Sequence, residues 1–143
     1  MSTLGSAVSV AASALAAERT RIEVAISNLA NADSTRGPDG QPYRRRDVVL
    51  SADEQASFGA ALGRASAVGV QVAAIVEDTA PAQQRFDPSH PDADAEGYVA
   101  LPNVKPAEEM VDMVSAARAY QANLTAINLI RDLVQRSLEL GRA

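Results

Sequence analysis

The chain has 143 residues, a formal net charge of −5 at pH 7 and no cysteine. The length suits one globular unit with room for an extension. The absence of cysteine excludes disulfides and thiolate metal sites, and the acidic balance argues against nucleic-acid binding, which normally uses a basic face. Hydrophobic residues make up 47% of the chain but aromatic residues only 3%, a composition that builds helical seams more readily than a thick core.

Residues 1–35 are predicted to form an N-terminal helix followed by a turn. Apolar residues recur at alternating spacings of four and three, the pattern of a helix that packs along another helix. No basic residue precedes Arg19, so we expect no cleaved secretory signal, and no stretch has the roughly 18–20 apolar residues that span a bilayer. The predicted interface positions on this helix are Leu4, Val8, Ala11, Leu15, Ile22, Ala25 and Leu29.

The N-terminal helix should end in the polar run between Ser27 and Thr35. Side chains of Asn, Asp and Ser bond to nearby backbone groups and so compete with the helix. The glycines and proline of residues 37–40 oppose its continuation. We predict that Asn28 and Asn31 form a turn signature that ends the helix and fixes the direction in which the chain leaves it.

Residues 36–102 are predicted to form a small antiparallel β unit between two terminal helices. Residues 51–66 are rich in Ser and Ala, which predicts a flexible segment within this unit. The three expected strands are Tyr43–Leu50, Val68–Val76 and Gln83–Phe86.

Two charged segments lie in the central region. Arg44 to Arg46 are interpreted as a solvated strand face, with a grip on an acidic partner as the alternative. The acidic residues between Asp87 and Tyr98 are spaced as at the start of a calcium loop, but the bidentate acid of such a loop would fall on Asn103. We therefore interpret this segment, including His90, as a turn. No catalytic set is visible in the sequence, so we expect no enzyme activity, no cofactor and no metal site.

Residues 103–143 are predicted to form a long C-terminal helix. Pro106 suits its first turn, and Glu108 and Glu109 favour the positive end of the helix dipole. The pattern ends at Gly141. Such a helix is about 50 Å long, which is more than a compact domain of this size covers, so a partner surface is required.

The apolar positions of the C-terminal helix define a second predicted interface. Arg131 occupies the next position of the strict spacing, so the stripe is expected to step sideways near residue 128. The predicted positions are Met110, Met113, Ala117, Tyr120, Leu124, Ile127, Ile130, Val134 and Leu138. The sequence therefore predicts an α+β fold, mainly α, in which long N- and C-terminal helices form a coiled-coil pair with a small antiparallel β unit between them.

Several of these segments carry a family resemblance. The segment Ile26–Ala32 resembles the N-terminal signature of bacterial flagellar rod, hook and hook-associated proteins, and Ala117–Asn123 resembles their C-terminal signature. Two further segments, Gly40–Arg45 and Asp87–Val99, are similar to the proximal rod members of this family. The resemblance covers nearly the whole chain, with residues 51–66 the exception.

The resemblance implies a structural subunit of the flagellar basal body. Its expected partners are further copies of itself, neighbouring rod proteins, the surrounding membrane-ring protein and the flagellar export apparatus, without nucleic acid or direct membrane insertion. Its expected location is the cell-proximal end of the periplasm-spanning rod. The terminal helices would polymerise into part of the axial tube, which transmits torque and encloses the export channel.

Two other functions remain open from the sequence. A soluble adaptor whose helices form a closed dimer or tetramer fits the apolar spacing equally well. An enzyme that depends on a metal would require metal binding at residues 87–96.

Overall fold

The computed structural model of the protein describes residues 2–37, 40–53 and 68–141. In this described part, a long helix lies at each end of the chain and four short strands lie between them in sequence. The elements are α1 (Ser2–Ala30), β1 (Arg46–Ala52), β2 (Val70–Glu77), β3 (Gln83–Phe86), β4 (Tyr98–Leu101) and α2 (Pro106–Leu140). The fold is α+β and mainly helical, as predicted.

Helix α1 runs for 29 residues and ends where the polar side chains begin to bond to the backbone. The carbonyl of Ser27 accepts from the backbone N–H of Asn31 at 3.1 Å and from its side-chain Nδ2 at 2.8 Å. Ser34 Oγ then donates to Asn31 Oδ1 at 3.1 Å. Asn31 therefore satisfies a carbonyl that the end of a helix leaves without a helical partner.

Helix α2 runs for 35 residues and begins at Pro106. The fixed φ of proline suits this first position, where a missing N–H removes no helical hydrogen bond. The N–H groups of Glu108 and Glu109 donate to the carbonyl of Lys105, and Lys105 Nζ lies 2.8 Å from Glu108 Oε1. The predicted start near Asn103 is therefore three residues early, because the turn around Lys105 precedes the helix.

The strands form two separate pairs. In β1–β2, Asp53 N–H donates to the Gly69 carbonyl at one end and Asp78 N–H to the Arg45 carbonyl at the other, so the strands run antiparallel. In β3–β4, which is also antiparallel, Phe86 pairs with Tyr98. The predicted β unit thus consists of two small sheets.

The predicted strand Gln83–Phe86 is confirmed with the same bounds. Strand β1 begins at Arg46, later than predicted, and continues to Ala52, so its end belongs to a strand where the sequence predicted a flexible segment. The rest of that predicted segment, residues 54–66, lies outside the described residues. The sequence pattern does not indicate β4, which is too short for alternation to stand out.

One compact unit contains residues 1–20, 50–73 and 115–143. Its backbone approaches α1 closely at Gly69, where an added Cβ would lie 2.9 Å from Ser13 Oγ. The same Oγ accepts from the N–H of Val70 at 3.1 Å, so Ser13 connects α1 to the start of β2. The buried apolar side chains of this unit are small, which allows such close approach: Ala11, Ala17 and Ala116.

The second compact unit contains residues 21–49 and 74–114. Phe86 and Tyr98 meet edge to face there, with ring centroids 5.3 Å apart. Gly97 has a φ of 86°, which side-chain-bearing residues rarely adopt, and an added Cβ would lie 3.0 Å from Phe86 and from Pro88. The buried residues of this unit are Ala25, Asn28, Val99, Pro102, Val104 and Glu109. The division of the chain into residues 1–35, 36–102 and 103–143 stays a prediction.

Candidate assembly interface

The side-chain amide of Asn28 is completely buried and uses all of its hydrogen-bonding capacity. Its Nδ2 donates to the carbonyl of Arg46 at 2.8 Å and to Glu109 Oε2 at 2.9 Å. Its Oδ1 accepts from the N–H of Arg46 and from the hydroxyl of Tyr43, both at 2.9 Å. An amide offers two donors and two acceptors, so this side chain has no unmet hydrogen bond.

Glu109 is the second buried polar residue, with 2% of its surface exposed. Its Oε1 lies 2.6 Å from Nε of Arg45, and its Oε2 accepts from Asn28. Burial lowers the pKa of Arg45, but the hydrogen bond and negative charge of Glu109 outweigh that effect, helped by Asp47, and leave this pKa raised. A buried carboxylate requires such a partner, because taking a lone charge out of water costs several kcal/mol.

These contacts define the Asn28 cluster: Asn28, Tyr43, Arg45 and Glu109. The cluster lies within the second compact unit and joins three segments there: the end of α1, the chain entering β1 and the start of α2. Among the described residues, no buried side-chain nitrogen or oxygen lacks a hydrogen-bond partner. The cluster therefore fixes where the chain leaves α1 and where α2 begins.

The three consecutive arginines have different environments, which corrects their interpretation as a uniform solvated face. Arg45 is mostly buried against Glu109. Arg46 lies 3.2 Å from Glu77 Oε1 and 5.8 Å from the ring centroid of Tyr43. Arg44 is exposed. Side chains alternate along an extended chain, so Arg45 points to the opposite side from its two neighbours.

The acidic segment from Asp87 to Glu96 uses several of its carboxylates within the fold. Asp92 accepts from Thr35 Oγ1 at 2.8 Å and lies 3.4 Å from Arg36 Nε. Asp94 Oδ1 accepts from the N–H groups of Glu96 and Tyr98. A hydrogen bond from the Ser89 hydroxyl lowers the pKa of Asp87 below its ordinary value. Within the described part of the chain, no group of three or more His, Asp or Glu side chains could hold a metal ion.

The predicted interface positions on α1 differ in exposure. Leu4 and Val8 are exposed in the single chain, and Ala11 and Ala25 are buried; the half-buried positions are Leu15, Ile22 and Leu29. The two turn residues lie at the end of the same helix, Asn28 fully buried and Asn31 half-buried.

On α2, the positions of the less exposed face recur without interruption at alternating spacings of four and three residues. The exposed positions among those predicted are Met110, Ala117, Leu124 and Leu138; the half-buried ones are Met113, Tyr120, Ile127, Ile130 and Val134. Apart from Ala119, the buried and half-buried residues of α2 form this less exposed face: Glu109, Met113, Ala116, Tyr120, Asn123, Ile127, Ile130 and Val134. The stripe therefore does not step near residue 128: Glu109 and Asn123 belong to it, and their polarity conceals the true phase from an apolar pattern.

Large apolar side chains also lie on the exposed surface of α2. Leu129, Leu133, Leu138 and Leu140 are each more than half exposed. Helices with exposed leucines can belong to membrane proteins, but in the described residues neither helix is long and apolar enough to cross a bilayer. A row of exposed leucines on a helix marks a surface for another protein.

The sequence missed three members of the Asn28 cluster. Glu109 was assigned to the helix dipole, Arg45 to a solvent-facing strand, and Tyr43 to a strand. The available signal was the position of Glu109, four residues before Met113, where it continues the apolar stripe of α2, since a polar residue within such a stripe must find a buried partner.

The chain matches two family models at its ends. The model described as flagella basal body rod protein matches residues 9–38, and the model for the C-terminal region of flagellar basal body rod FlgEFG proteins matches residues 95–140. Together these models contain most of α1, all of β4 and all of α2. They define the class as flagellar rod proteins.

Curated relatives extend the similarity over nearly the full length. The flagellar basal-body rod protein FlgC of Salmonella typhimurium is 48% identical over 93% of this chain and 94% of its own. FlgC of Bacillus subtilis is 45% identical over 94% and 96%, and FlgC of Aquifex aeolicus is 40% identical over 93% of each chain. The chain belongs to the family of structural subunits of the bacterial flagellar basal-body rod, of the FlgC type. This family membership does not favour a closed soluble adaptor.

Proposed function

We propose that copies of this chain polymerise through their terminal helices into part of the flagellar rod, in the cell-proximal region of the basal body. The observation that supports this proposal most directly is the exposed apolar surface of α2. Leu129, Leu133 and Leu140 follow one another at spacings of four and seven residues, which places them on one side of the helix, and they are 55–79% exposed. Burying one leucine against a neighbour contributes about 1.5–3 kcal/mol, and a repeated row adds this contribution along the helix.

The assembly residues that we propose are the exposed leucines Leu129, Leu133 and Leu140 together with the residues of the sequence interface. The interface positions with enough exposed surface in the single chain to contact a neighbour directly are Leu4, Val8, Met110, Ala117, Leu124 and Leu138. The half-buried and buried positions would contribute to assembly indirectly, by shaping the helix surface that a neighbour contacts. These are Ala11, Leu15, Ile22, Leu29, Met113, Tyr120, Ile127, Ile130 and Val134.

The Asn28 cluster supports a structural role over a catalytic one. Its amide, carboxylate and guanidinium groups are bonded to one another, so they are not free to bind a substrate. In a rod subunit this arrangement would hold the ends of α1 and α2 in fixed directions. Asn31 would contribute by ending α1. We therefore propose that the chain has no enzyme activity and needs no cofactor.

Family membership also supports the proposed partners. A subunit of the cell-proximal rod would contact copies of itself, neighbouring rod proteins and the surrounding membrane-ring protein. It would reach the rod through the flagellar export apparatus. The rod then transmits torque and encloses the export channel.

The test is incorporation into basal bodies in cells whose own copy of the gene is replaced by a variant. Leu133→Asp places a charge in the exposed leucine row and should abolish incorporation while leaving the folded monomer unchanged. Gln135→Asp, at an exposed polar position two residues further along α2 and about 200° around the helix, is the matched control and should assemble. Purified basal bodies are probed for the chain by immunoblotting.

Two results would contradict the proposal. The first is normal incorporation of the Leu133→Asp variant. The second is a wild-type chain that is absent from basal bodies and sediments as one discrete closed oligomer, which is the behaviour expected of a soluble adaptor.

A further inference from the structure

The second compact unit contains an open cavity with a strongly basic lining. Its volume is about 490 Å³. Three guanidinium groups, those of Arg36, Arg44 and Arg46, line it together with one carboxylate, Glu77. Tyr43 contributes an aromatic wall. We call this site the basic cavity.

The three arginines are differently engaged. Arg46 contacts Glu77, and Arg36 lies 3.4 Å from Asp92 of the acidic loop, residues 87–96. Among the described residues, Arg44 makes no ion pair, and its side chain is exposed. One guanidinium of the cavity is thus available to an additional carboxylate, and the planar guanidinium fork suits carboxylate binding.

The same unit carries a complementary surface beside the cavity, since Asp92 of the acidic loop contacts Arg36 of the cavity lining. The acidic loop contains Asp87, Asp92, Asp94 and Glu96 and no Lys or Arg. Asp92 and Asp94 are occupied by contacts within the fold. Glu96 is exposed, and in the described part of the chain its carboxylate has no ion-pair partner. The loop therefore presents a free carboxylate.

We propose that the basic cavity of one subunit binds the acidic loop of a second copy of this chain, with Glu96 of one copy facing Arg44 of the other. The contact between Arg36 and Asp92 shows that the rim of the cavity already accepts a carboxylate of this loop. The inference rests on the proposed rod function and specifies one contact between its subunits.

The arrangement also has a consequence for symmetry. In the rod the contact would be heterologous, with each copy offering its loop to one neighbour and its cavity to another. Repeated contacts of this kind produce rings or open helical assemblies, whereas a two-fold dimer requires the same patch on both partners. This geometry suits an axial polymer.

Charge exchange tests the pair in basal bodies. Arg44→Glu places a carboxylate opposite Glu96, and Glu96→Arg places a guanidinium opposite Arg44; each should lower incorporation by at least about tenfold, because facing like charges are strongly unfavourable at an interface. The double variant restores opposite charges and should return incorporation to within about threefold of wild type. Arg85→Glu, an exposed arginine outside the cavity, is the matched control and should stay within about twofold.

Cross-linking tests the same contact independently, because it measures whether positions 44 and 96 of two copies lie close together and does not depend on their charges. The chain has no native cysteine, so Arg44→Cys combined with Glu96→Cys gives a reaction without background. A short bismaleimide applied to isolated basal bodies should produce covalent multimers of this chain from the double variant and none from either single variant.

The inference is overturned if single charge reversals incorporate normally or if the double variant is no better than the singles. It is also overturned if cross-links form only within one chain or to a different rod protein. Failure of the proposed function looks different, because the wild-type chain would then be absent from basal bodies. Wild-type incorporation together with failed charge exchange rejects only this contact.

Discussion

The side chain of Asn28 pairs with the main chain of Arg46 as the backbone of a neighbouring strand would. Its Oδ1 accepts from the N–H of Arg46 at 2.9 Å, and its Nδ2 donates to the carbonyl of the same residue at 2.8 Å. A helix-end side chain thereby satisfies both polar backbone groups of the first residue of β1. This pairing explains why β1 begins at Arg46 and why the chain before it lies against the end of α1.

Removing the amide should destabilise the second compact unit. Asn28→Ala removes one hydrogen bond from Glu109, one from Tyr43 and both from the backbone of Arg46, and we expect a loss of about 3 kcal/mol or more in the free energy of unfolding. Asn123→Ala is the matched control, because Asn123 is half-buried and bonds the backbone carbonyl of Ala119 on its own helix. Urea denaturation of the purified chain measures both. A loss of under about 1 kcal/mol for Asn28→Ala would contradict the role of the cluster.

Replacement of the amide by a carboxylate should make stability depend on pH. In the Asn28→Asp variant, an oxygen replaces the donor that faces Glu109, so two carboxylates meet in a buried site. Protonation of the introduced carboxyl group restores a donor. The destabilisation relative to wild type should therefore be large at pH 7 and shrink as the pH falls toward 5. Denaturation at both pH values is the measurement, and a difference from wild type that is equal at the two pH values would count against the contact.

The Arg45–Glu109 pair should show strong coupling in a double-mutant cycle. Arg45→Met leaves the buried carboxylate without its cation and should cost about 3–5 kcal/mol. Glu109→Gln removes the charge but gives the site a surplus donor. Arg45→Met alone leaves the Glu109 carboxylate buried without a cation, but in the double variant that charge is absent. The double variant should therefore lose less stability than the sum of the two single losses. Additive losses would show that the two side chains do not interact in the folded protein.

Two glycines should differ in their tolerance of a side chain. Gly97→Ala forces a positive φ on alanine and places its Cβ 3.0 Å from Phe86 and Pro88, so we expect a loss of at least about 2 kcal/mol. Gly40 has a similar φ of 79° but nothing within 4 Å of an added Cβ, and Gly40→Ala should cost about 1 kcal/mol. Thermal unfolding compares them. Equal losses would mean that the contacts around Gly97 contribute nothing.

Two positions on α2 should separate folding from assembly. Ile127 is half-buried in the single chain and Leu133 is exposed. Ile127→Asp should lower the free energy of unfolding by about 1–3 kcal/mol as well as block incorporation. Leu133→Asp should change the monomer by no more than about 0.5 kcal/mol and still block incorporation. Urea denaturation gives the first quantity and basal-body immunoblotting the second. If Leu133→Asp destabilised the monomer more than Ile127→Asp, the assignment of Leu133 to assembly alone and of Ile127 to folding would be contradicted.

Much of the fold follows from local patterns. Pro106, the acidic first turn and Gly141 predict α2, and the polar residues after Ser27 predict the end of α1. These signals operate within a turn or two of the helix, so the sequence contains them directly. The strand Gln83–Phe86 is also predicted with its correct bounds, whereas β4 is too short to reveal an alternation.

The sequence by itself determined the two long helices, the lack of thiol chemistry and the family signatures. The tertiary structure decided which polar residues belong to the interior. Glu109 and Asn28 are 81 residues apart in sequence, and nothing local marks them as partners. Each is stable in a buried site because the other, with Arg45 and Tyr43, supplies the hydrogen bonds that water would otherwise provide. The phase of the less exposed face of α2 was hidden for the same reason: polar side chains occupy it, and burial of a polar group depends on a distant partner rather than on its own hydropathy.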